Sequence, residues 1–210
     1  MLHFSQFEKS YFDHLVLKID NIKLPKGVFW IKGSNGTGKS TFLKAIAGIL
    51  SFKGDIAIGT VYLKNHGVSY RRLVNFAAAE PLFPEFLSGM EMITLFAKAK
   101  GAGAGQAEIL VAEMGMQGYI NNPLGSYSSG MLKKLSLVLA FLGKPKLILL
   151  DEPLNTIDAE SLEVLYRWIN EKHEKDKISF LLSSHQPLDE LKLPGLKQIN
   201  IVDKKLTLNF

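Results

Sequence analysis

One run near the start of the chain has a spacing with a specific chemical use. In Gly33-Ser34-Asn35-Gly36-Thr37-Gly38-Lys39-Ser40 the glycines allow successive backbone N–H groups to curl around phosphate oxygens, which is the P-loop pattern. Lys39 is placed to reach the β and γ phosphates of a nucleotide, and the Ser40 hydroxyl to ligate Mg²⁺. The helix predicted to begin at Lys39 turns its positive end toward the same anion.

A phosphate cradle needs a second element to hold and polarise the metal. Asp151 follows the unbroken apolar run Leu147–Leu150, so it stands where a buried parallel strand meets its loop, the place where open α/β sheets bind ligands. It is the natural Walker B carboxylate. Glu152, next in the chain, is the candidate for orienting or deprotonating an attacking water. A strand followed by Asp-Glu means little alone and gains its meaning from the P-loop upstream.

The elements that must position these groups are readable in outline. Val16–Ile19 alternates as a strand does, and Gly27–Ile31 is an apolar run entering the glycine-rich turn. Phe42, Leu43, Ile46, Ile49 and Leu50 have helical spacing. Residues 56–63 read as further strand, and Glu91–Lys100 as an amphipathic helix ending in the Gly101–Gly105 stretch. A helix after Met131 (Leu132, Leu135, Leu139, Leu142) stops at Gly143 and Pro145. A helix over 159–173 and a strand Ile178–Ser183 follow, and the tail alternates around Asp203 and Lys204 as a hairpin. The expected fold is α/β, with a P-loop core on a mainly parallel sheet, an N-terminal antiparallel β portion, and a helical insertion at about 82–143, all within one domain spanning 1–210.

Between P-loop and Walker B stands Tyr127-Ser128-Ser129-Gly130-Met131, similar to the LSGGQ signature of the ABC ATPases, and the chain resembles that family from about Phe7 to about Gln186. The bare reading of Ser128 is a helix N-cap. The resemblance implies that Ser128 and Gly130 bind the γ phosphate of ATP held by an opposite subunit. Asp151–Asp158 is similar to the family's Walker B and D-loop, which puts Asp158 at a dimer seam. His185 stands at the position of the switch histidine that senses γ phosphate. Lys9-Ser10-Tyr11 is similar to the segment whose ring stacks on adenine, with Phe12 as the rival ring. Gly33 to Ser40 and Thr41 would form the nucleotide site, with Ser40 and Asp151 on the metal. One departure stands out: Ala77-Ala78-Ala79-Glu80-Pro81 lacks the loop glutamine that contacts Mg²⁺ in the family, Glu80 is the nearest polar substitute, and the loop reads about one residue short.

The resemblance implies ATP and Mg²⁺ as cofactors, a homodimer or a pair with a related ATPase subunit, and an integral-membrane transporter subunit as partner. The short chain and His185-Gln186-Pro187-Leu188 resemble the ATPases of cytochrome c biogenesis exporters, and the YSSGM segment resembles general exporter ATPases. Composition agrees with a folded soluble protein: 47% apolar and 21% charged residues are near the globular average, and the 210-residue length suffices for a core. With no cysteine, disulfide frameworks and thiolate metal sites are excluded. No run is long and apolar enough to span a membrane or lead secretion, so the expected place is cytoplasmic, peripheral on the inner membrane face through the partner. The net charge of +5 is spread along the chain, which reads as solvated surface with no nucleic acid expected. Two rival readings remain: a soluble ATPase acting on nucleic acid or the ribosome, whose families carry coiled coils or zinc modules not seen here, and a nucleotide-binding regulator with little turnover.

Overall fold

The computed structural model describes residues 2–209. Its frame is a ten-stranded mixed sheet in the order β5-β4-β1-β2-β10-β9-β3-β8-β7-β6. The strands are β1 (Leu2–Tyr11), β2 (His14–Leu24), β3 (Val28–Lys32), β4 (Lys53–Ile58), β5 (Val61–Tyr62), β6 (Val74–Ala77), β7 (Leu147–Asp151), β8 (Ser179–Ser183), β9 (Lys197–Val202) and β10 (Lys205–Asn209). From β6 through β7, β8 and β3 to β9 every pairing is parallel, whereas β1 pairs antiparallel with β2 and β4. The α/β architecture read from the sequence is therefore present, with the C-terminal hairpin β9–β10 joining its parallel and antiparallel parts.

Strand period accounts for the two cores. Val28 and Trp30 of β3, Ile148 and Leu150 of β7, and Phe180 and Leu182 of β8 face one apolar cluster. Their neighbours Phe29, Ile31, Leu147, Leu149 and Leu181 face the other. Successive side chains point to opposite faces of a pleated strand, so a sheet covered on both sides must be apolar at every position. The first cluster is closed by α3 (Gly89–Lys100), α4 (Gln106–Glu113), α5 (Ser129–Phe141) and α6 (Ala159–Asp176); the second is closed by α1 (Lys39–Ile46) and the curl of β1, β2 and β4. One short helix, α2 (Gly67–Leu73), precedes β6.

Several boundaries differ from the sequence reading for local reasons. The expected strand over 56–63 is two strands, because Gly59 takes a left-handed φ of 61° and turns β4 back into β5. The opening strand that alternates over Val16–Ile19 runs the full length of β2, His14–Leu24, and β1 shifts register after Ser5, where Gln6 has φ 50°. Gly54 lies against that bulge, and a Cβ there would come within 2.0 Å of the Gln6 carbonyl oxygen, so only glycine fits. Helix α3 starts at Gly89 because Ser88 and Glu91 form a capping box: Ser88 Oγ accepts the Glu91 N–H at 3.2 Å, and Glu91 Oε2 accepts the Ser88 N–H at 2.8 Å. At its other end Lys100 donates to the Val74 carbonyl at 2.8 Å, which fastens the helix to the start of β6.

Candidate nucleotide site

The P-loop leaves β3 and enters α1 as its spacing predicts. Gly38 caps α1 with φ 95°, and a Cβ on it would meet Val16 Cγ1 at 2.5 Å, so the loop can lie this close to β2 only with glycine there. Thr37 Oγ1 donates to the Ser34 carbonyl at 2.9 Å and closes the turn. Lys39 is buried, and its Nζ donates to the carbonyls of Gly33 at 2.7 Å and Ser34 at 3.2 Å. Burial lowers its pKa, against the opposing pull of the Glu152 and Asp151 carboxylates.

Across from Lys39, strands β7 and β8 bring a second group of polar side chains to their C-terminal ends. Asp151 is 1% exposed, and its Oδ1 accepts hydrogen bonds from Ser40 Oγ at 3.0 Å and from Ser183 Oγ at 2.6 Å. Its other oxygen, Oδ2, is buried and has no hydrogen-bond partner among the described residues. A buried carboxylate oxygen left without a partner is costly and fits a cation. One carboxylate and one hydroxyl are few ligands for a protein-built metal cage but suit Mg²⁺, which takes its remaining oxygens from phosphate and water.

Glu152 is held in an unusual backbone state, with φ 45° and its N–H shared between the Ser183 carbonyl and hydroxyl oxygens, each at 3.1 Å. Strain of this kind persists where surrounding bonds over-determine it. Its carboxylate receives the His185 backbone N–H at 3.2 Å, and His185 Nε2 lies 3.1 Å from its other oxygen. Trp30 Nε1 donates to the Ser184 carbonyl at 3.2 Å and so ties this loop to β3.

Lys39, Ser40, Glu152 and His185 line one open cavity of about 420 Å³, bordered also by Tyr11, Val16 and Asn35 among others, with Asp151 behind Ser40. Gly36, Gly38, Ser40 and Thr41 also line it, while Gly33 and Ser34 contribute the carbonyls that hold Lys39. Tyr11 stands at its edge with Lys9 Nζ 4.4 Å from the ring centre. Phe12, the rival ring, is fully exposed at the tip of the β1–β2 turn and borders a neighbouring hollow instead.

Ser128, Gly130 and Asp158 are absent from this cavity wall and gather elsewhere. Ser128 caps α5 by accepting the Met131 N–H at 3.3 Å. A Cβ on Gly130 would be 2.8 Å from the Thr156 carbonyl oxygen, so signature and D-loop segments touch there. Lys134 pairs with Asp158 at 2.7 Å, and that bond, with the Ser161 N–H, holds the Asp158 carboxyl well below the usual range. Glu80, the nearest polar residue to the missing loop glutamine, is exposed and does not border the cavity.

Lys133 carries no motif and falls within the spread positive charge that the sequence reads as solvated surface. It is fully buried, and its Nζ donates to the carbonyls of Ala78 at 2.9 Å, Ala79 at 3.2 Å and Asp151 at 2.9 Å. Burial pushes its pKa down to about 8, against the pull of Asp151 and Glu152. One side chain thus fastens α5, the root of the loop after β6 and the end of β7. Lys133→Met, which removes three donors while filling the space, is expected to destabilise the fold by about 2–3 kcal/mol, read as a lowered urea midpoint. Ser183 was likewise read only as a strand residue; a small hydroxyl is informative only once Asp151 is seen opposite it.

The fold and this cavity define a P-loop nucleotide-binding protein. The family model described as ABC transporter matches residues 17–155, and the chain belongs to that family. It is 33% identical over 190 residues to the cytochrome c biogenesis ATP-binding export protein CcmA of Legionella pneumophila, covering 90% of this chain and 94% of that protein. It is 28% identical over 188 residues to the lantibiotic transport ATP-binding protein SrtF of Streptococcus pyogenes, covering 88% of this chain and 80% of that one. Among solved structures, an ATP-binding subunit of an ABC transporter superposes with a TM-score of 0.87 at 26% identity, covering 99% of this chain and 90% of that chain. A dimeric cassette, MJ0796, bound to ADP and phosphate after hydrolysis shares the fold at a TM-score of 0.84 and 20% identity, each chain covered in full. The chain is an ATP-binding subunit of the ABC transporter type, an ATPase that energises a transporter. Among the described residues no helix is long and apolar enough to cross a membrane.

Proposed function

We propose that two such chains, identical or related, close head to tail on two MgATP molecules and that this closure drives a separate membrane-spanning subunit. The observation that carries this reading is the separation within one chain: P-loop, Glu152 and His185 share a cavity, with Asp151 joined to it through Ser40, while Ser128, Gly130 and Asp158 meet on a surface apart from it. A signature segment that does not reach its own cavity can serve the cavity of another chain. Within each composite site Lys39 and the P-loop N–H groups hold the β and γ phosphates, and Ser40 and Asp151 are the residues that would hold Mg²⁺. Mg²⁺, when bound, neutralises charge on the phosphate oxygens. Glu152 aligns and receives a proton from the attacking water, and His185, alongside it, reads the γ phosphate. The Ser128 hydroxyl, the Gly130 N–H and the positive end of α5 complete the site from the facing chain.

The loop between β6 and α3 is the proposed contact for the membrane subunit. Its root is tied by Lys133, and it carries Leu82 and Phe86, 94% and 82% exposed. The chain would then be peripheral on the cytoplasmic face of the membrane through that subunit.

The test mixes two defective chains. Ser128→Arg puts a bulky charge in the seam and leaves the P-loop intact, so the isolated chain should bind ATP normally yet neither dimerise nor turn over. Lys39→Ala has the opposite defect. In the mixed dimer one composite site combines both defects and the other has neither, so activity absent from each alone should return. Loss of ATP binding by isolated Ser128→Arg would place the segment in its own chain's site and end the head-to-tail assignment.

A further inference from the structure

The β9–β10 turn brings to the cavity wall a lysine that no motif announces. We propose that Lys204 is a further nucleotide-binding residue, a cation that meets the phosphate chain at the α phosphate while Lys39 serves the β and γ phosphates. The proposal rests on the cavity being the nucleotide site.

Three observations carry it. Val202 pairs with Lys205, so Asp203 and Lys204 form a two-residue hairpin turn, with φ 48° and 62°. Such a turn strongly favours glycine at its second position, where any side chain is strained. Lys177 also has a left-handed φ, 56°, but it closes the C-terminus of α6 and borders no part of this cavity. Lys204 does border it, together with Tyr11, His14, Val16 and Lys39. Backbone strain kept at a binding wall points to a use for the side chain.

The turn is also fixed in place. The Lys18 N–H donates to the Lys204 carbonyl at 2.9 Å, and Lys205 pairs with Lys18. This seats Lys204 on the wall formed by β2, whose Val16 stands against Gly38 at the start of α1. In the sheet β9 and β3 stand between β2 and β10 on one side and β8 and β7, which lead to His185 and Glu152, on the other, so the wall bearing Lys204 lies away from the end proposed for the γ phosphate. Lys204 is exposed, and its amine makes no hydrogen bond or ion pair among the described residues. The carboxylate that borders the cavity, Glu152, is engaged by His185. A phosphate oxygen is the counter-charge left for Lys204 to meet.

The experiment compares Lys204→Gly, Lys204→Gln and the parent chain by calorimetry with MgATP and with adenosine. Both variants should weaken MgATP binding about fivefold, the scale of one partly solvated charge-assisted contact, with adenosine affinity unchanged. Lys204→Gly should do so while keeping or raising Tm, because glycine relieves the turn. MgATP affinity within twofold of the parent in both variants would overturn the proposal, and so would an equal loss for adenosine, which moves the contact to the base or ribose. Failure of the parent chain itself to bind MgATP would instead overturn the nucleotide-site reading beneath it.

Discussion

Glu152→Gln is expected to bind MgATP as the parent chain does and to lose turnover by about two to four powers of ten. The amide keeps the size of the side chain and one oxygen able to accept the His185 backbone N–H, which Glu152 accepts at 3.2 Å. The backbone bonds from Glu152 to Ser183 do not involve the side chain and survive the change. What disappears is the basic oxygen that takes a proton from water. ATP that is bound but not cleaved keeps both signature segments engaged, so size-exclusion chromatography in MgATP should show a dimer that reverts on chelation of the metal. A monomeric variant with normal hydrolysis would contradict the role assigned to Glu152.

The second large effect is at Lys39. Lys39→Ala should weaken ATP binding by about a hundredfold or more, the scale of about 3 kcal/mol for charge-assisted bonds to a buried anion. Its amine donates to the Gly33 and Ser34 carbonyls, contacts that phosphate oxygens would replace. A lysine whose pKa is lowered in the folded state binds its proton more tightly when unfolded, so the charged amine works against folding below that lowered pKa. The penalty fades as pH rises from there toward the ordinary lysine value. Against this stands the loss of the Gly33 and Ser34 hydrogen bonds, and a thermal scan of Lys39→Ala without nucleotide checks that the variant is folded where binding is measured. Equal ATP affinity in the two chains by calorimetry would remove the P-loop assignment.

How much could be read in advance follows from the range of each interaction. The P-loop and the Asp151-Glu152 pair are contiguous, and their chemistry depends on backbone conformations that neighbouring residues impose. The parallel strands β7 and β8 were legible as unbroken apolar runs, since a strand buried on both faces has no polar position to hide. Helix α4 was missed because glycines flank it on both sides, and Gly105 caps it in a left-handed conformation that reads as loop. Helix α2 and strand β6 were missed because they are short, and the helix buries only Tyr70, which leaves little periodicity to detect.

The sequence by itself determined the phosphate cradle, the carboxylates that face it and the α/β class, because each is written in a short run of residues whose spacing sets its geometry. Only the tertiary structure decided which groups complete the site. Ser40 reaches Asp151 across 111 positions, Ser183 reaches it across 32, and Lys133 reaches the Ala78 carbonyl across 55. It also decided that Tyr11 rather than Phe12 borders the cavity, that Glu80 does not, and that Lys204 does. A lysine or serine has the same local signature on a solvated surface as against a buried carboxylate. The difference is created by what the chain packs on the other side, and that partner lies tens of residues away.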